Sequence, residues 1–294
     1  RRLESRLMSV LRTVIQDTHQ KLEAAGIPDA RLEAEVFVMN VMRMARQSIF
    51  AEQETDVSAQ QQIALDAFLE RRLLREPLAY ILGQREFYGI NVILTPAVMI
   101  PRPETEGLVE HALFIAMMGM ESRDLLIADV GTGSGAIAIN LAMHLPAAKI
   151  FAVDVADAVL DVAAYNVRVH GVAERVSLGI GDLLDPVPEP VDLIVANLPY
   201  IPTGRIPTLQ PEVQQEPALA LDGGPDGLGL IRRLLTQAEA KLKDDGIILL
   251  EMDPEQIPAV QKLALNHFQE GSTSVEQDLA GMDRILTIFR QSPE

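Results

Sequence analysis

Some residue types are absent or scarce in this sequence of 294 residues, and each absence excludes a class of protein. Cysteine is absent, which excludes disulfide bonds, thiolate catalysis and cysteine-ligated zinc, and fits the reducing cytoplasm. No apolar run is long enough to cross a membrane, and no secretory signal is expected. The 25 Lys and Arg are outnumbered by 42 Asp and Glu, and the net charge of −17 argues against a protein that coats nucleic acid.

What the sequence does contain is enough apolar residues for a core, together with a marked asymmetry of charge. Apolar residues make up 48% of the chain, so global disorder is not expected, and the length suits one large or two modest domains. Residues 1–75 hold 11 basic and 11 acidic side chains, whereas residues 76–294 hold 14 basic and 31 acidic ones. The net charge therefore lies entirely in the second part, which predicts two domains with different roles.

The N-terminal part has the periodicity of helices. Apolar residues recur at spacings of three and four from residue 3 to about residue 75. The segment from Gly26 to Asp29 predicts the end of one helix and the start of the next, with Asp29 as N-cap, and Ser58 precedes a third apolar stretch. Residues 1–75 are therefore predicted to form a helical bundle.

Short apolar segments separated by turn residues follow the predicted bundle. Residues 77–83 and 87–92 have the pattern of strands around turns, which predicts a β-hairpin linker over residues 76–100. Pro101 and Pro103 then precede an amphipathic helix predicted over residues 108–117.

From residue 125 onward, strand and helix patterns alternate along the chain. This alternation predicts an α/β domain over residues 101–294, with a mostly parallel sheet covered by helices on both faces. Ligands bind such sheets at the carboxyl ends of the strands. The predicted strands are 125–130, 149–153, 176–180, 193–196, 247–251, 274–277 and 284–289, and the predicted helices are 136–145, 158–170, 228–243 and 260–267.

A glycine-rich segment joins the first of these strands to the first helix. It reads Asp129-Val-Gly131-Thr132-Gly133-Ser-Gly135, and its glycines allow a tight turn and a close approach of the backbone to a ligand. The spacing differs from the Gly-x-Gly-x-x-Gly of dinucleotide-binding folds, and no lysine follows as in a P-loop. On its own the segment is also consistent with a plain strand-to-helix connection.

Acidic residues follow the next two strands. Asp154 ends the second strand, where a carboxylate can accept hydrogen bonds from ribose hydroxyls, and Asp182 ends the third, where it can accept from an adenine amino group. Alternatively, Asp154 or Asp157 caps the following helix, and Asp182 is a solvated loop carboxylate. With the glycine turn, these carboxylates predict a pocket for an adenosine without phosphates. An acidic pocket suits a sulfonium cation, which favours S-adenosylmethionine over NAD.

A second candidate site, Asn197-Leu198-Pro199-Tyr200, follows the strand of residues 193–196. The Asn197 carbonyl and the neighbouring backbone carbonyl can accept both N–H groups of a planar substrate nitrogen, and Tyr200 can pack on the planar group. Such a site would orient a nitrogen lone pair toward a methyl group, with neither a metal nor a dedicated general base. The alternative is an ordinary Asn-x-Pro turn.

These motifs resemble those of the HemK/PrmC family, the peptide chain release factor glutamine methyltransferases. The stretch Ile100-Pro-Arg102-Pro-Glu-Thr105-Glu is the most specific match, whereas the glycine turn and the tetrad beginning at Asn197 also suit many other amino-group methyltransferases. The resemblance covers nearly the whole chain. Further matches are Pro77-x-Ala-Tyr80-Ile-x-Gly83, Glu86-Phe87, Glu216-Pro-Ala-Leu219 and Asp222-Gly-Gly-Pro-Asp-Gly-Leu228.

The resemblance implies a class I methyltransferase fold, which is Rossmann-like, and the use of S-adenosylmethionine with release of S-adenosylhomocysteine. It implies methyl transfer to the side-chain amide nitrogen of the glutamine in the Gly-Gly-Gln loop of release factors. The helical bundle is then expected to dock the protein substrate. We expect a monomeric cytoplasmic enzyme that binds neither nucleic acid nor membrane.

The resemblance also implies roles for particular residues. Asn197, with Leu198 and Pro199, would bind the glutamine amide, and Tyr200 would pack against it. The residues implied to roof the active site are Arg102 and Thr105. Those implied to hold the cofactor are Asp129, Gly131, Thr132, Gly133, Gly135, Asp154, Asp182 and Asn197.

One departure from the family pattern leaves alternatives open. The family usually has Asn-Pro-Pro-Tyr, and Leu198 stands at the second position. Leu198 still supplies a backbone carbonyl, and because it precedes proline it still favours an extended conformation, so we expect the site to survive. Asn-Leu-Pro-Tyr also occurs in adenine methyltransferases that act on RNA, so a nucleic-acid adenine methyltransferase is one alternative. A methyltransferase for a ribosomal protein glutamine and a non-catalytic binding module are the others.

Overall fold

The computed structural model describes residues 9–119 and 124–291. These residues divide into two compact units, of which the first ends at Leu82 and the second begins at Gly83. The three-part division into residues 1–75, 76–100 and 101–294 stays a prediction.

The first unit is helical, as the apolar periodicity predicts. Apolar side chains at helical spacing, such as Leu11, Leu22 and Phe37, form one buried core. Positions 3–8 of the predicted first helix lie outside the described residues. The helices are α1 (Leu11–Ala24), α2 (Ala30–Met42), α3 (Arg46–Ala51), α4 (Ala59–Leu73) and α5 (Leu78–Leu82), and β1 (Ser9–Val10) pairs with β2 (Asp56–Val57) in an antiparallel sheet.

The strand predicted over residues 77–83 is wrong, because residues 78–82 form helix α5. The carbonyl of Pro77 accepts the backbone N–H groups of Tyr80 and Ile81, and the helical turn buries both side chains. A proline at the start of a helix loses no hydrogen bond, so the same residues that suggest a strand also fit a short helix.

The residues that precede helices α2 and α4 differ as helix caps. Asp29 precedes α2, but its backbone is left-handed with φ of 55°, and its side chain makes no capping hydrogen bond. An N-cap side chain needs extended backbone to reach the first turn, which explains the difference. Ser58 has that extended backbone and forms a capping box with Gln61 at the start of α4.

The second unit contains the predicted alternation, with shifted boundaries. None of the helices in the described ranges has the length and apolar character of a membrane span. Short 3-10 helices occupy Thr203–Thr208, Val213–Gln215, Ala218–Ala220 and Pro254–Gln256. The other elements are β3 (Gln84–Phe87), β4 (Ile90–Ile93), α6 (Pro103–Gly119), β5 (Leu126–Val130), α7 (Ala136–His144), β6 (Lys149–Asp154), α8 (Asp157–Val169), β7 (Val176–Ile180), β8 (Val191–Ala196), α9 (Gly229–Lys241), β9 (Leu242–Glu251), α10 (Ile257–His267), β10 (Ser272–Gln277) and β11 (Asp283–Phe289).

Seven strands form one sheet in the order β10-β11-β9-β8-β5-β6-β7. The five strands from β9 to β7 are parallel, and β11 and β10 add an antiparallel edge, so the predicted mostly parallel sheet is confirmed. The chain enters the sheet at β5, extends through β6 and β7 on one side, and returns to add β8 and β9 on the other. The strand order therefore reverses between β5 and β8, and open α/β sheets bind ligands at such a point.

A buried asparagine links the β3–β4 hairpin to the glycine-rich turn. Asn166 on α8 is fully buried, and its Nδ2 donates to the backbone carbonyls of Ile93 and Ser134 at 2.9 Å each. Its Oδ1 accepts the N–H of Ile93, also at 2.9 Å. Because Ser134 belongs to the turn, one side chain fixes the hairpin and the turn together.

Candidate active site

A cavity of about 400 Å³ opens at the carboxyl ends of β5, β6 and β8, where the strand order reverses. Most of its lining residues are apolar, as is usual for small-molecule sites. The predicted site residues that line it are Thr105, Gly131, Thr132, Gly133, Asp154, Asp182, Asn197, Leu198 and Pro199. The predicted site residues that do not line it are Arg102, Asp129, Gly135 and Tyr200.

The glycine turn brings backbone rather than side chains to the cavity. The N–H groups of Gly131 and Thr132 both donate to the carbonyl of Val153 in β6, at 2.9 Å each, which ties the turn to the neighbouring strand. Gly131 has a φ of 74°, and a Cβ there would lie 3.1 Å from the end of the Leu198 side chain. The position therefore favours glycine by both conformation and space.

Asp129 supports this turn from β5. It is fully buried, and its Oδ2 accepts the Thr132 hydroxyl at 2.6 Å and the Ala138 N–H at 3.1 Å. Burial raises the pKa of Asp129 to about 7, although both hydrogen bonds favour the charged form. Its contacts are thus with the turn and the start of α7.

Asp154, at the end of β6, faces both the turn and the cavity. Its Oδ2 accepts the N–H of Gly133 at 3.1 Å, and its Oδ1 accepts the N–H of Val155 at 2.8 Å. Each carboxylate oxygen has further lone pairs for a ligand. Burial raises the pKa of Asp154, and these backbone hydrogen bonds oppose the rise. The N-cap position of α8 belongs to Ala156, so neither Asp154 nor Asp157 occupies it.

Asp182 lies at the cavity but already has a basic partner. Its Oδ2 forms an ion pair with Arg233 of α9 and accepts a weak hydrogen bond from Gln237 at 3.4 Å. The charged residues of the lining are thus Asp154, Asp182 and Arg233, which leaves one net negative charge. In the two described ranges, no three His, Asp or Glu side chains are grouped so that they could hold a metal ion.

Asn197 lies directly after β8, and within the described part of the chain only the Nδ2 end of its side-chain amide is hydrogen-bonded. Its Nδ2 donates to the hydroxyl of Thr105 on α6 at 3.0 Å, and Thr105 is only 3% exposed. The Asn197 Oδ1 accepts no hydrogen bond from any residue that the structure describes. Asn197 lines the cavity, and its carbonyl oxygen is available to bind an N–H group.

Glu251 is a candidate that the motif analysis missed. It ends β9, is 2% exposed, and lies beside Thr105 and Asn197. Burial raises its pKa to about 7, while hydrogen bonding from those two side chains and the charge of Arg284 act in the opposite direction. Burial and the nearby Glu251 also raise the pKa of Tyr200, to about 12. In the sequence, the feature that indicates Glu251 as a candidate is its position as a carboxylate directly after the apolar run of residues 247–250.

Arg102 is held beside the cavity by a second buried carboxylate. Glu216 is 5% exposed, and its Oε1 forms an ion pair with the Arg102 guanidinium. Its Oε2 accepts the N–H of Ile100 at 3.0 Å. Glu216 therefore fixes the segment that carries Pro101, which lines the cavity.

Known proteins with similar sequences identify the family. A model of the PrmC N-terminal domain matches residues 13–83, and a model of ribosomal protein L11 methyltransferase (PrmA) matches residues 112–219. The release factor glutamine methyltransferase of Moorella thermoacetica is 40% identical over 282 residues, which are 96% of this chain and 99% of that protein. The chain belongs to the release factor glutamine methyltransferase family.

A second relative gives the same result, and a solved structure of the same name is also similar to this chain. The release factor glutamine methyltransferase of Chlorobaculum tepidum is 37% identical over 90% of this chain and 92% of its own length. A solved structure, the release factor-specific protein-(glutamine-N5) methyltransferase of Alicyclobacillus acidocaldarius, is 27% identical over 66% of this chain and 95% of that chain, with a TM-score of 0.40. The relatives from Moorella thermoacetica and Chlorobaculum tepidum confirm the predicted family and the predicted enzyme class. The seven-stranded, mostly parallel sheet confirms the predicted α/β fold. Family and fold together imply S-adenosylmethionine as the cofactor.

Proposed function

We propose that this protein transfers a methyl group from S-adenosylmethionine to the side-chain amide nitrogen of a release factor glutamine, the one in the Gly-Gly-Gln loop. The observation that carries the proposal is the unpaired Oδ1 of Asn197 at the cavity, in a chain that matches a family member over 96% of its length. A glutamine amide has two N–H groups to donate, and a fixed carbonyl oxygen is the group that recognises one of them.

The residues on the turn side of the cavity fit the cofactor. We assign cofactor binding to Gly131, Thr132, Gly133 and Asp154, whose backbone groups and carboxylate line the cavity. Asp129 and Gly135 would shape the turn without lining the cavity, and Asp182 would act at the adenine end, beside Arg233. A sulfonium cation fits the net negative charge of the lining.

The tetrad would align the substrate. When bound, S-adenosylmethionine supplies an electrophilic methyl group: the N–C bond forms as the C–S bond breaks, its electron pair stays on sulfur, and the nitrogen gives up a proton to water. Asn197 Oδ1 and the Leu198 carbonyl would accept the two amide N–H groups and raise the electron density on nitrogen in the transition state. Pro199 would hold the Leu198 carbonyl in place, and Tyr200, whose pKa of about 12 keeps it neutral, would pack against the amide.

The release factor would be bound as a protein partner, without nucleic acid and by a monomeric enzyme. We assign its docking to the helical residues 1–75. The net charge of −17 on residues 76–294 suits a basic substrate domain, as expected for a domain that must approach ribosomal RNA. Binding should then weaken as the ionic strength rises.

A methylation assay tests the proposal. Purified protein, labelled S-adenosylmethionine and a release factor are incubated, with the loop glutamine either intact or replaced by alanine. We expect label only in the intact release factor, at the side-chain amide. Methyl transfer that does not depend on this glutamine would contradict the proposal. In a parallel reaction with RNA in place of the release factor, label in the RNA would favour the adenine methyltransferase alternative.

A further inference from the structure

Glu251 is a buried carboxylate beside Asn197 that has no part in the transfer described above. The strand register pairs Ala196 of β8 with Leu250 of β9, so Asn197 and Glu251 follow paired positions at the same edge of the sheet. The Oε2 of Glu251 accepts no hydrogen bond from the described residues. Burial of an incompletely paired carboxylate lowers stability, and such groups are concentrated at functional sites.

Thr105 and Asn197 are hydrogen-bonded to each other beside Glu251. The Thr105 hydroxyl accepts the Nδ2–H of Asn197 at 3.0 Å, which leaves the hydroxyl proton available for another acceptor. Glu251 lies beside both side chains, and each of them acts to lower the pKa of its carboxyl group. Asn197 and Thr105 therefore form a hydrogen-bonded pair, in which the amide donates to the hydroxyl, next to a buried carboxylate.

This arrangement, with a buried carboxylate beside the pair, fixes which end of the Asn197 amide faces the substrate. An ionised carboxylate only accepts hydrogen bonds, so it attracts Nδ2 and repels Oδ1. If the amide were turned over, Oδ1 would face the Glu251 carboxylate, acceptor against acceptor. Nδ2 is thereby held toward Thr105, and Oδ1 is left for the N–H of the glutamine.

The strength of this constraint depends on the charge of Glu251. The charged and titratable groups that face Glu251 are Arg284 from β11, Glu104 from α6 and Tyr200 from the loop after β8. With a pKa of about 7, the carboxyl group is ionised above neutral pH and protonated below it. The protonated form can donate, so a turned-over Asn197 amide is no longer excluded.

We propose that Glu251 is a positioning residue, which acts with Thr105 to hold the Asn197 amide so that Oδ1 is presented to the substrate. The consequence for turnover rests on the proposed function. The orientation of Asn197 does not, because it can be measured on the protein without a substrate.

The first experiment follows the Asn197 side-chain amide by NMR. The chain has six asparagines, so selective labelling with 15N-asparagine gives a simple spectrum, in which the Asn197 signal is the one lost in Asn197→Ala. We expect this signal to shift with a midpoint near pH 7 in the wild type and not to titrate in Glu251→Gln. The matched control is Asp192→Asn, another buried carboxylate, near the amino end of β8, which should leave the titration unchanged.

The second experiment measures methyl transfer to a release factor. We expect Glu251→Gln to lower kcat by about 10²-fold, with S-adenosylmethionine affinity unchanged, because a misoriented amide misplaces the substrate. If Glu251→Gln does not fold, Thr105→Val should show the same loss, and Thr105→Ser, which keeps the hydroxyl, should restore most of the activity.

The two experiments separate the two proposals. An Asn197 signal that is the same in the wild type and in Glu251→Gln at every pH would overturn the positioning role. A wild-type protein that leaves the release factor unmethylated would overturn the proposed function, and the NMR titration would still decide the role of Glu251.

Discussion

The two halves of the cavity are built from different kinds of contact. The cofactor half consists of the glycine turn with Asp129 and Asp154, and its side-chain contacts join residues 3 to 21 positions apart. The substrate half consists of the tetrad with Thr105, Glu216 and Glu251, and its contacts join residues 92 and 114 positions apart. Local backbone geometry therefore shapes one half, whereas side chains brought together by the fold shape the other.

The largest effect is expected from removing the Asn197 amide. Asn197→Ala should lower methyl transfer to a release factor by about 10³-fold, because it removes an acceptor that acts on the reacting nitrogen. Since the cofactor half does not use this side chain for its own structure, the affinity for S-adenosylmethionine should remain within a few-fold of wild type. Single-turnover kinetics and calorimetry measure the two quantities separately.

The matched change in the other half is Asp154→Ala, which should mainly weaken cofactor binding and leave transfer at saturating S-adenosylmethionine much less affected. If both variants lost cofactor affinity and turnover in the same proportion, the cavity would act as one unit and the comparison of two halves would fail.

Substitutions at two glycines compare the two halves by their effect on the free energy of unfolding. Gly227 packs against Tyr200 of the substrate half, and Gly131 belongs to the turn of the cofactor half. A Cβ on Gly227 would lie 2.1 Å from the carbonyl oxygen of Tyr200 and 2.4 Å from Gln256 Nε2, whereas one on Gly131 would meet the movable end of Leu198 at 3.1 Å. Both residues have positive φ. We expect Gly227→Ala to lower the free energy of unfolding by about 3 kcal/mol and Gly131→Ala by about 1.5 kcal/mol. Urea unfolding measures both, and an equal or larger loss in Gly131→Ala would contradict the difference.

The same difference explains what the sequence could predict. The turn from Asp129 to Gly135 is a continuous motif between a strand and a helix, so its place at the sheet edge follows from the order of elements alone. The contacts of Glu251 could not be predicted in this way. They depend on β9 lying next to β8 and on α6 bringing Thr105 to the same edge, which no local spacing reveals. The resemblance named Thr105, but not the side chains it connects.

Helix α5 illustrates the same limit on a smaller scale. Five apolar residues after Pro77 suit a strand or a helical turn equally well by their pattern. The carbonyl hydrogen bonds that close the turn, and the Arg71 side chain that donates to the carbonyl of Tyr80 at 3.2 Å, decide between them. Such contacts are a property of the folded first unit.

One buried carboxyl group in each half predicts how stability depends on pH. The pKa values of Asp129 and Glu251 rise to about 7 from ordinary values of 3.8 and 4.5, so between about pH 4 and pH 7 the folded state keeps protons that the unfolded state releases. The free energy of unfolding should therefore fall as the pH rises through this range, by at most about 1.4 kcal/mol per pH unit for each group.

Asp129→Asn should remove the contribution of Asp129, and Glu251→Gln that of Glu251. Urea unfolding between about pH 5 and pH 7.5 gives the slopes. Slopes in Asp129→Asn and Glu251→Gln that equal the wild-type slope would show that neither group is held protonated in the folded protein.

The smallest effect is expected from Arg233, the basic residue of the cavity lining. Its ion pair with Asp182 is largely exposed, since the Arg233 side chain is 55% accessible, so Arg233→Ala should change the free energy of unfolding by less than about 1 kcal/mol.

Removing the Arg233 cation leaves Asp154 and Asp182 as the charged lining residues, so binding of the sulfonium S-adenosylmethionine should tighten about threefold at low salt. S-adenosylhomocysteine has an uncharged sulfur and should bind as before. Calorimetry with both ligands separates the two cases, and Arg232→Ala, whose pair with Asp226 lies outside the cavity lining, is the control. Equal changes for both ligands would mean that Arg233 acts through Asp182 on the adenosine, which both ligands share, and not through the charge on sulfur.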